Sequence, residues 1–201
     1  MAFTMRFLAY IIVFLEGGAL LSYEIMAAKM YTPHVGATLY VWTSILTLTL
    51  VALALSYRFS QNIIQKKNWK FLPLSLLISG VYLILVVFTR NEVLPATYTM
   101  EIRSAAIFTG FVLLLLPVFC MGLTSPMISA WLTENHCNNK QKSGNFAGLV
   151  YGIGTLSGVL FTLLSLFIFM PNFGVNSTIL LLAILLLIAS LLSYFFIQKT
   201  A

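Results

Sequence analysis

Six apolar stretches, separated by charged, Pro or Gly punctuation, organise this chain: near 7–31, 36–57, 71–89, 104–132, 147–170 and 178–197. Each is long enough to supply the roughly 20 residues a helix needs to cross a hydrocarbon core about 30 Å thick. At that depth backbone N–H and C=O groups have no water partners, so such runs imply helices. The pattern predicts an all-α, polytopic membrane protein, with residues 1–201 forming one bundle of six transmembrane helices.

The connectors set the expected topology. Thr32-Pro33-His34-Val35-Gly36 contains both helix breakers and predicts a tight hairpin between the first two spans. The second connector, RFSQNIIQKKNWK, carries Arg58, Lys66, Lys67 and Lys70, with Trp69 at an interfacial position. The third balances Arg90 and Arg103 against Glu92 and Glu101, the fourth holds Lys140 and Lys142, and the fifth, PNFGVNS, is uncharged. With the second and fourth connectors and both termini in the cytoplasm, Arg6, Arg58, Lys66, Lys67, Lys70, Lys140, Lys142 and Lys199 lie inside. Lys29, Arg90 and Arg103 then lie outside, as the positive-inside rule expects for a cytoplasmic (inner) membrane.

Six crossings with both ends inside put spans one to three and four to six in opposite orientations. YVWTSILTLTLVALALS in span two and YGIGTLSGVLFTLLSLF in span five both open on Tyr and run through small or hydroxyl residues into Leu-rich sequence. This loose similarity allows a 3+3 inverted repeat, the arrangement inside each half of major facilitator transporters.

Composition narrows the chemistry. Only 8% of residues are charged and 60% are apolar, against roughly 25% charged in ordinary soluble domains, so a water-soluble fold is excluded. There is no aspartate, and the five acids are Glu16, Glu24, Glu92, Glu101 and Glu134. A nucleotide domain, an aspartate-based metal site and an aspartate dyad are thereby disfavoured, and no Gly-rich phosphate loop is present. The net charge of +6 is spread over membrane connectors and reads as topology rather than nucleic-acid binding. Cys120 and Cys137 form no metal-ligand pattern and read as free thiols, while His34 and His136 fall in loops at opposite faces. No cofactor or metal is expected. The N-terminal apolar stretch is too long for a signal peptide and carries two glutamates, so it is expected to remain as a helix.

Glu16 and Glu24 lie in the first span, eight residues apart and so about 80° apart around the helix, where one cavity can receive both. A carboxyl at membrane depth costs several kcal/mol unless protonated, paired or hydrated, and such groups commonly face a bundle interior or water path. They read as a cation or proton site, or else as hydrogen-bonded packing groups. Tyr40, Trp42 and Ser44 at the outer end of span two form either an interfacial belt or a pocket wall. Pro117 and the stretch Met121-Gly122-Leu123-Thr124-Ser125-Pro126 predict a kink or break in span four, either a hinge at Pro117, Gly122 and Pro126 or a static bend. Ser125 joins the candidate solute-binding residues. Gly148, Gly152, Gly154 and Gly158 give two small-xxx-small pairs for close helix contact, within the monomer or between monomers.

The strings LEGGALLSYEIMAAKMYTPHVGATLYVWTSI, MGLTSPMIS and AGLVYGIGTLSGVLFTLLSLFIFMPNFGVNSTILLLA resemble the membrane domain of the spermidine-synthase-like membrane proteins. The resemblance touches five of the six predicted spans and implies a transporter-like half bundle. These 201 residues hold none of that family's aminopropyltransferase-like domain, with its nucleotide-like cofactor site and catalytic aspartates. LSYRFSQNIIQKKN also stands where a glycine-rich, Asp-Arg-containing connector is common. The resemblance thus implies architecture more than activity.

The expected function is binding or transport of a small solute; the glutamates argue for a cationic one, and the resemblance, through the chemistry of the family's aminopropyltransferase-like domain, implies a polyamine-like one. Lipid is the surrounding partner, and a second copy or an enzyme subunit would complete the assembly. The competing reading is a non-transporting subunit that anchors or scaffolds an enzyme or larger complex. An intramembrane enzyme is disfavoured because no nucleophile and base can be paired.

Overall fold

The structure, a computed structural model, describes residues 2–136 and 143–198; Cys137, Lys140, Lys142 and Lys199 lie outside them. The chain runs through α1 (Ala2–Val35), α2 (Leu39–Gln65) and α3 (Phe71–Val93), then a 3-10 turn over Pro95–Thr99. A fourth stretch is assembled from α4 (Ile102–Gly110), a π-helical turn at Phe111–Leu115, α5 (Leu116–Gly122) and α6 (Thr124–His136). α7 (Ser143–Leu164), a second π turn at Ser165–Phe169 and α8 (Met170–Gln198) complete it. Every regular element among the described residues is helical.

Five helical stretches are long and apolar enough to cross a membrane: Met5–Val35, Leu39–Gln65, Phe71–Glu92, Ile102–Asn135 and Gly144–Gln198. The last, at 55 residues, differs from the two separate spans the sequence suggests, because helix continues through Pro171 and Asn172. It is not straight. Gly174 has φ 78° and ψ 169°, which no helix accommodates.

Side-chain contacts give the direction of each limb. His34 Nδ1 and the Tyr98 hydroxyl, 2.8 Å apart, join the end of α1 to the turn after α3. The Lys67–Glu134 ion pair joins the α2–α3 connector to the end of α6, at the opposite end of the bundle. α7 runs alongside α1 in the same direction, with Arg6 over the Phe146 ring at 5.9 Å and Phe14 edge-on to Phe161 at 5.7 Å. α8 runs against α3, since the Ser190 hydroxyl donates to the Pro73 carbonyl at 2.8 Å while Gly80 packs on Leu187 and Ala183. α3 shares the direction of α1, so the chain reverses between α7 and α8, at Gly174. That φ/ψ combination is essentially reserved for glycine and strains other residues by about 1–3 kcal/mol. Gly174→Ala is expected to lower stability by that amount in thermal unfolding in detergent.

α1 is the central helix. Ala9, Ile12, Val13, Ala19, Tyr23, Met26 and Tyr31 are fully buried around its circumference, and it packs on α2, α7, α8 and the fourth stretch. Its apolar residues accordingly surround it rather than forming one stripe. The π turn in the fourth stretch has a local cause. Pro117 has no N–H for the Leu113 carbonyl four residues earlier. The buried Tyr23 hydroxyl donates to that carbonyl instead, at 2.7 Å.

Candidate functional site

Glu16 sits at the middle of α1 with 2% of its surface exposed. It lines a cavity of about 160 Å³ bounded by α1, α2, the α5–α6 break and α7. Its Oε2 accepts a hydrogen bond from Ser125 Oγ at 3.4 Å, and no Lys, Arg or His pairs with it among the described residues. Ser125 lies in the first turn of α6, just after the one-residue interruption at Leu123, and the following Pro126 removes the N–H that would ordinarily bond the Gly122 carbonyl. Gly122 lines the cavity and lets α2 approach, because a Cβ there would stand 2.9 Å from Leu53 Cδ2.

Two tyrosines complete the wall. Tyr57 of α2 and Tyr151 of α7, exposed by 40% and 41%, meet edge to face with ring centroids 6.5 Å apart. With Thr155, they are the exposed members of the lining and so mark the mouth. The opposite wall depends on a close approach of α1 and α7, where a Cβ on Gly17 would lie 2.6 Å from the Gly154 Cα. The result is one buried carboxyl, hydroxyl oxygens from Ser125, Thr155 and the two phenols, and two aromatic rings around a space of about benzene size. Among the described residues no three His, Cys or acidic groups gather within reach of one metal ion.

The other candidate residues separate. Glu24 is half-buried in a different cavity of about 290 Å³ on the α1–α7 seam, with Ile25, Val159 and Thr162, so the two glutamates do not share a space. Tyr40 and Ser44 line a groove of about 340 Å³ with Arg103, whose guanidinium lies 5.4 Å from the Tyr40 ring centroid. The Ser44 hydroxyl is already spent on the Val41 carbonyl at 2.9 Å, and Trp42, 42% exposed, lines neither space. Of the hinge residues, Pro117 and Gly122 are buried and Pro126 half-buried. The glycines divide too. Gly154 and Gly158 face α1, a Cβ on Gly158 lying 3.1 Å from the Gly17 carbonyl oxygen, whereas Gly148 and Gly152 are exposed with nothing within 4 Å.

Fold and site together define a class, an all-helical bundle with stretches long and apolar enough to cross a membrane and a buried carboxyl at its centre that has no cationic partner among the described residues. Comparison with known protein families, curated proteins and solved structures finds no match to this chain.

Proposed function

We propose that this chain is a six-crossing bundle of the cytoplasmic membrane, similar to half of a major facilitator fold, that binds or carries a small organic cation at Glu16. The observation that carries the reading is a buried carboxyl without a cationic partner, facing a cavity whose mouth is two tyrosine rings. A carboxylate supplies countercharge, and aromatic faces attract cations within about 6 Å. The volume suits a solute of roughly six non-hydrogen atoms, comparable to the benzene that fills an apolar cavity of about 150 Å³. A longer polyamine would enter by one ammonium end only.

The reversal at Gly174 supports counting the last stretch as crossings five and six. Support for a 3+3 inverted repeat comes from pairings that interchange when crossings one and four, two and five, and three and six are swapped. α1 on α7 corresponds to the fourth stretch on α2, α1 on α8 to the fourth stretch on α3, and α3 on α8 to itself. Arg6 over Phe146, joining the starts of crossings one and five, likewise corresponds to Arg103 over Tyr40, joining the starts of four and two. The termini are assigned to the cytoplasm from charge, as Arg6, Arg58, Lys66, Lys67 and Lys70 cluster at one end of the bundle. The exposed Gly148 and Gly152 favour a second element of the reading, a neighbouring copy or enzyme subunit seated on α7, and with it the alternative of a non-transporting anchor.

The test is a thermal-shift series in mild detergent with alkylammonium ions of increasing length, each beside the neutral alcohol of equal size. Stabilisation is expected for the ammonium ions, strongest near six heavy atoms, and not for the alcohols. Tyr57→Leu and Tyr151→Leu are each expected to weaken it by about 0.5–2 kcal/mol, the worth of a cation–π contact. Equal shifts for alcohols and ammonium ions would rule out charge recognition. No shift at all, with a stoichiometric partner copurifying, would favour the anchor.

A further inference from the structure

A second site lies at the lysine-rich end of the bundle, far from Glu16 in the fold. Between the start of α3 and the end of α8 is a groove of about 610 Å³. Its walls are apolar side chains that face outward, among them Leu74, Leu77 and Leu191, exposed by 48%, 46% and 61%. Its polar groups collect at one end. Lys70 immediately precedes α3 and is exposed, with no ion-pair partner among the described residues, the nearby Glu134 being engaged by Lys67. Tyr194 and Gln198 lie on α8 one turn apart, and Gln198 Nε2 donates to the Tyr194 hydroxyl oxygen at 3.0 Å. The phenol thus accepts from Gln198 and keeps its own O–H to donate. Ser190, deeper in the groove, has its hydroxyl committed to the Pro73 carbonyl at 2.8 Å, so it offers no donor to an occupant.

We infer that this groove is a binding site for an anionic phospholipid, with the headgroup phosphate held by Lys70 and Tyr194 and an acyl chain along the α3–α8 trough. Both donors suit a phosphate oxygen, and among the described residues no carboxylate lines the groove to repel one. The trough's leucines are exposed on the outer surface of α3 and α8, two stretches apolar enough to cross a membrane, and from Lys70 to Leu77 it extends about 10 Å, the rise of seven helical residues. A soluble phosphate would use the donors and leave the trough unfilled. A zwitterionic lipid would bring its own cation beside Lys70. Basic positions at membrane interfaces select anionic lipids in this way. An occupant there also spans the α3–α8 contact and so stabilises the pairing.

The test uses the full chain in mild detergent at fixed ionic strength, with phosphatidylglycerol and phosphatidylcholine of identical acyl chains. Retained lipid is read by native mass analysis and stability by thermal unfolding. Retention of phosphatidylglycerol is expected to exceed that of phosphatidylcholine by about fivefold, the ratio for one lysine near the membrane surface. Lys70→Gln is expected to equalise the two, Tyr194→Phe to lower retention of both, since both carry the phosphate, and Lys66→Gln, outside the groove, to leave the difference unchanged. Leu77→Trp, which fills the trough, is expected to release both lipids. Equal retention by the unaltered chain, or full selectivity in folded Lys70→Gln protein, overturns the assignment. Equal stabilisation by free glycerol phosphate also overturns it, in favour of a soluble anion. The comparison on the unaltered chain decides the question even if a variant fails to fold.

Discussion

Gly17→Ala is expected to destabilise the bundle by about 1–3 kcal/mol or more, although alanine is the better helix former by about 1 kcal/mol. The reason is the neighbour it would strike. A Cβ on Gly17 lies 2.6 Å from the Cα and 2.8 Å from the carbonyl carbon of Gly154, and these backbone atoms cannot turn aside as a flexible side chain can. α1 and α7 would have to separate, and with them the contacts at Phe14–Phe161 and at Gly158, where Leu21 already fills the space. Helices in lipid associate through such close packing, because burying apolar surface gains little when the solvent is itself apolar. Gly152→Ala, with open space around its Cβ, is the internal comparison and is expected to be neutral or stabilising by up to about 1 kcal/mol. Thermal unfolding in detergent, followed by the folded fraction on size exclusion, separates the two. If Gly17→Ala matched Gly152→Ala, the α1–α7 contact would not be the one described.

The same pair shows what sequence could and could not reveal. Glycine spacing in α7 announced close packing, yet Gly148/Gly152 and Gly154/Gly158 look alike as strings, and only the fold separates the pair that faces α1 from the pair that faces outward. The helical class and the apolar stretches were legible because hydrocarbon thickness imposes a length, and the reversal near residue 174 because Pro and Gly punctuate it. Helix ends were less so. α2 was expected to stop near residue 57, but it continues to Gln65 with Ser56, Ser60 and Ile63 buried at helical spacing, while exposed Arg58 on the other face masks that pattern. Tyr57 stands at the very edge of that predicted span, where nothing local marks it as a cavity wall. Tyr151 was seen only as the start of a repeat, since nothing local in YGIGT says that its ring meets a tyrosine on another helix. Glu16 was the strongest signal of all, because a carboxyl in an apolar span has few neutral explanations. Its relation to Ser125, 109 residues away, is a contact between two helices that no local pattern announces.

Glu16→Gln is expected to weaken binding of an alkylammonium ion by about a hundredfold while leaving the unliganded protein as stable as before, or more so. The two signs have separate origins. Two unit charges about 4 Å apart interact by about 4 kcal/mol at an effective dielectric constant near 20, and loss of about 2.7 kcal/mol of that attraction is a factor of about one hundred in dissociation constant. In the unliganded state no cation offsets the cost of burying the carboxyl, and its one hydrogen bond, from Ser125 at 3.4 Å, is long. Glutamine has the same shape and keeps an oxygen for Ser125, so packing against Leu20, Gly17 and Gly154 is preserved. A residue retained for binding at a cost in stability behaves this way, whereas one retained for packing shows the reverse. Glu24→Gln is the informative companion. Because Glu24 faces a different cavity, it is expected to change ammonium affinity by less than about threefold, the reach of a screened charge outside the site. Equal losses in both variants would mean that one solute path joins the two cavities. A destabilised Glu16→Gln protein with unaltered ammonium binding would make Glu16 a packing residue and remove the cation site.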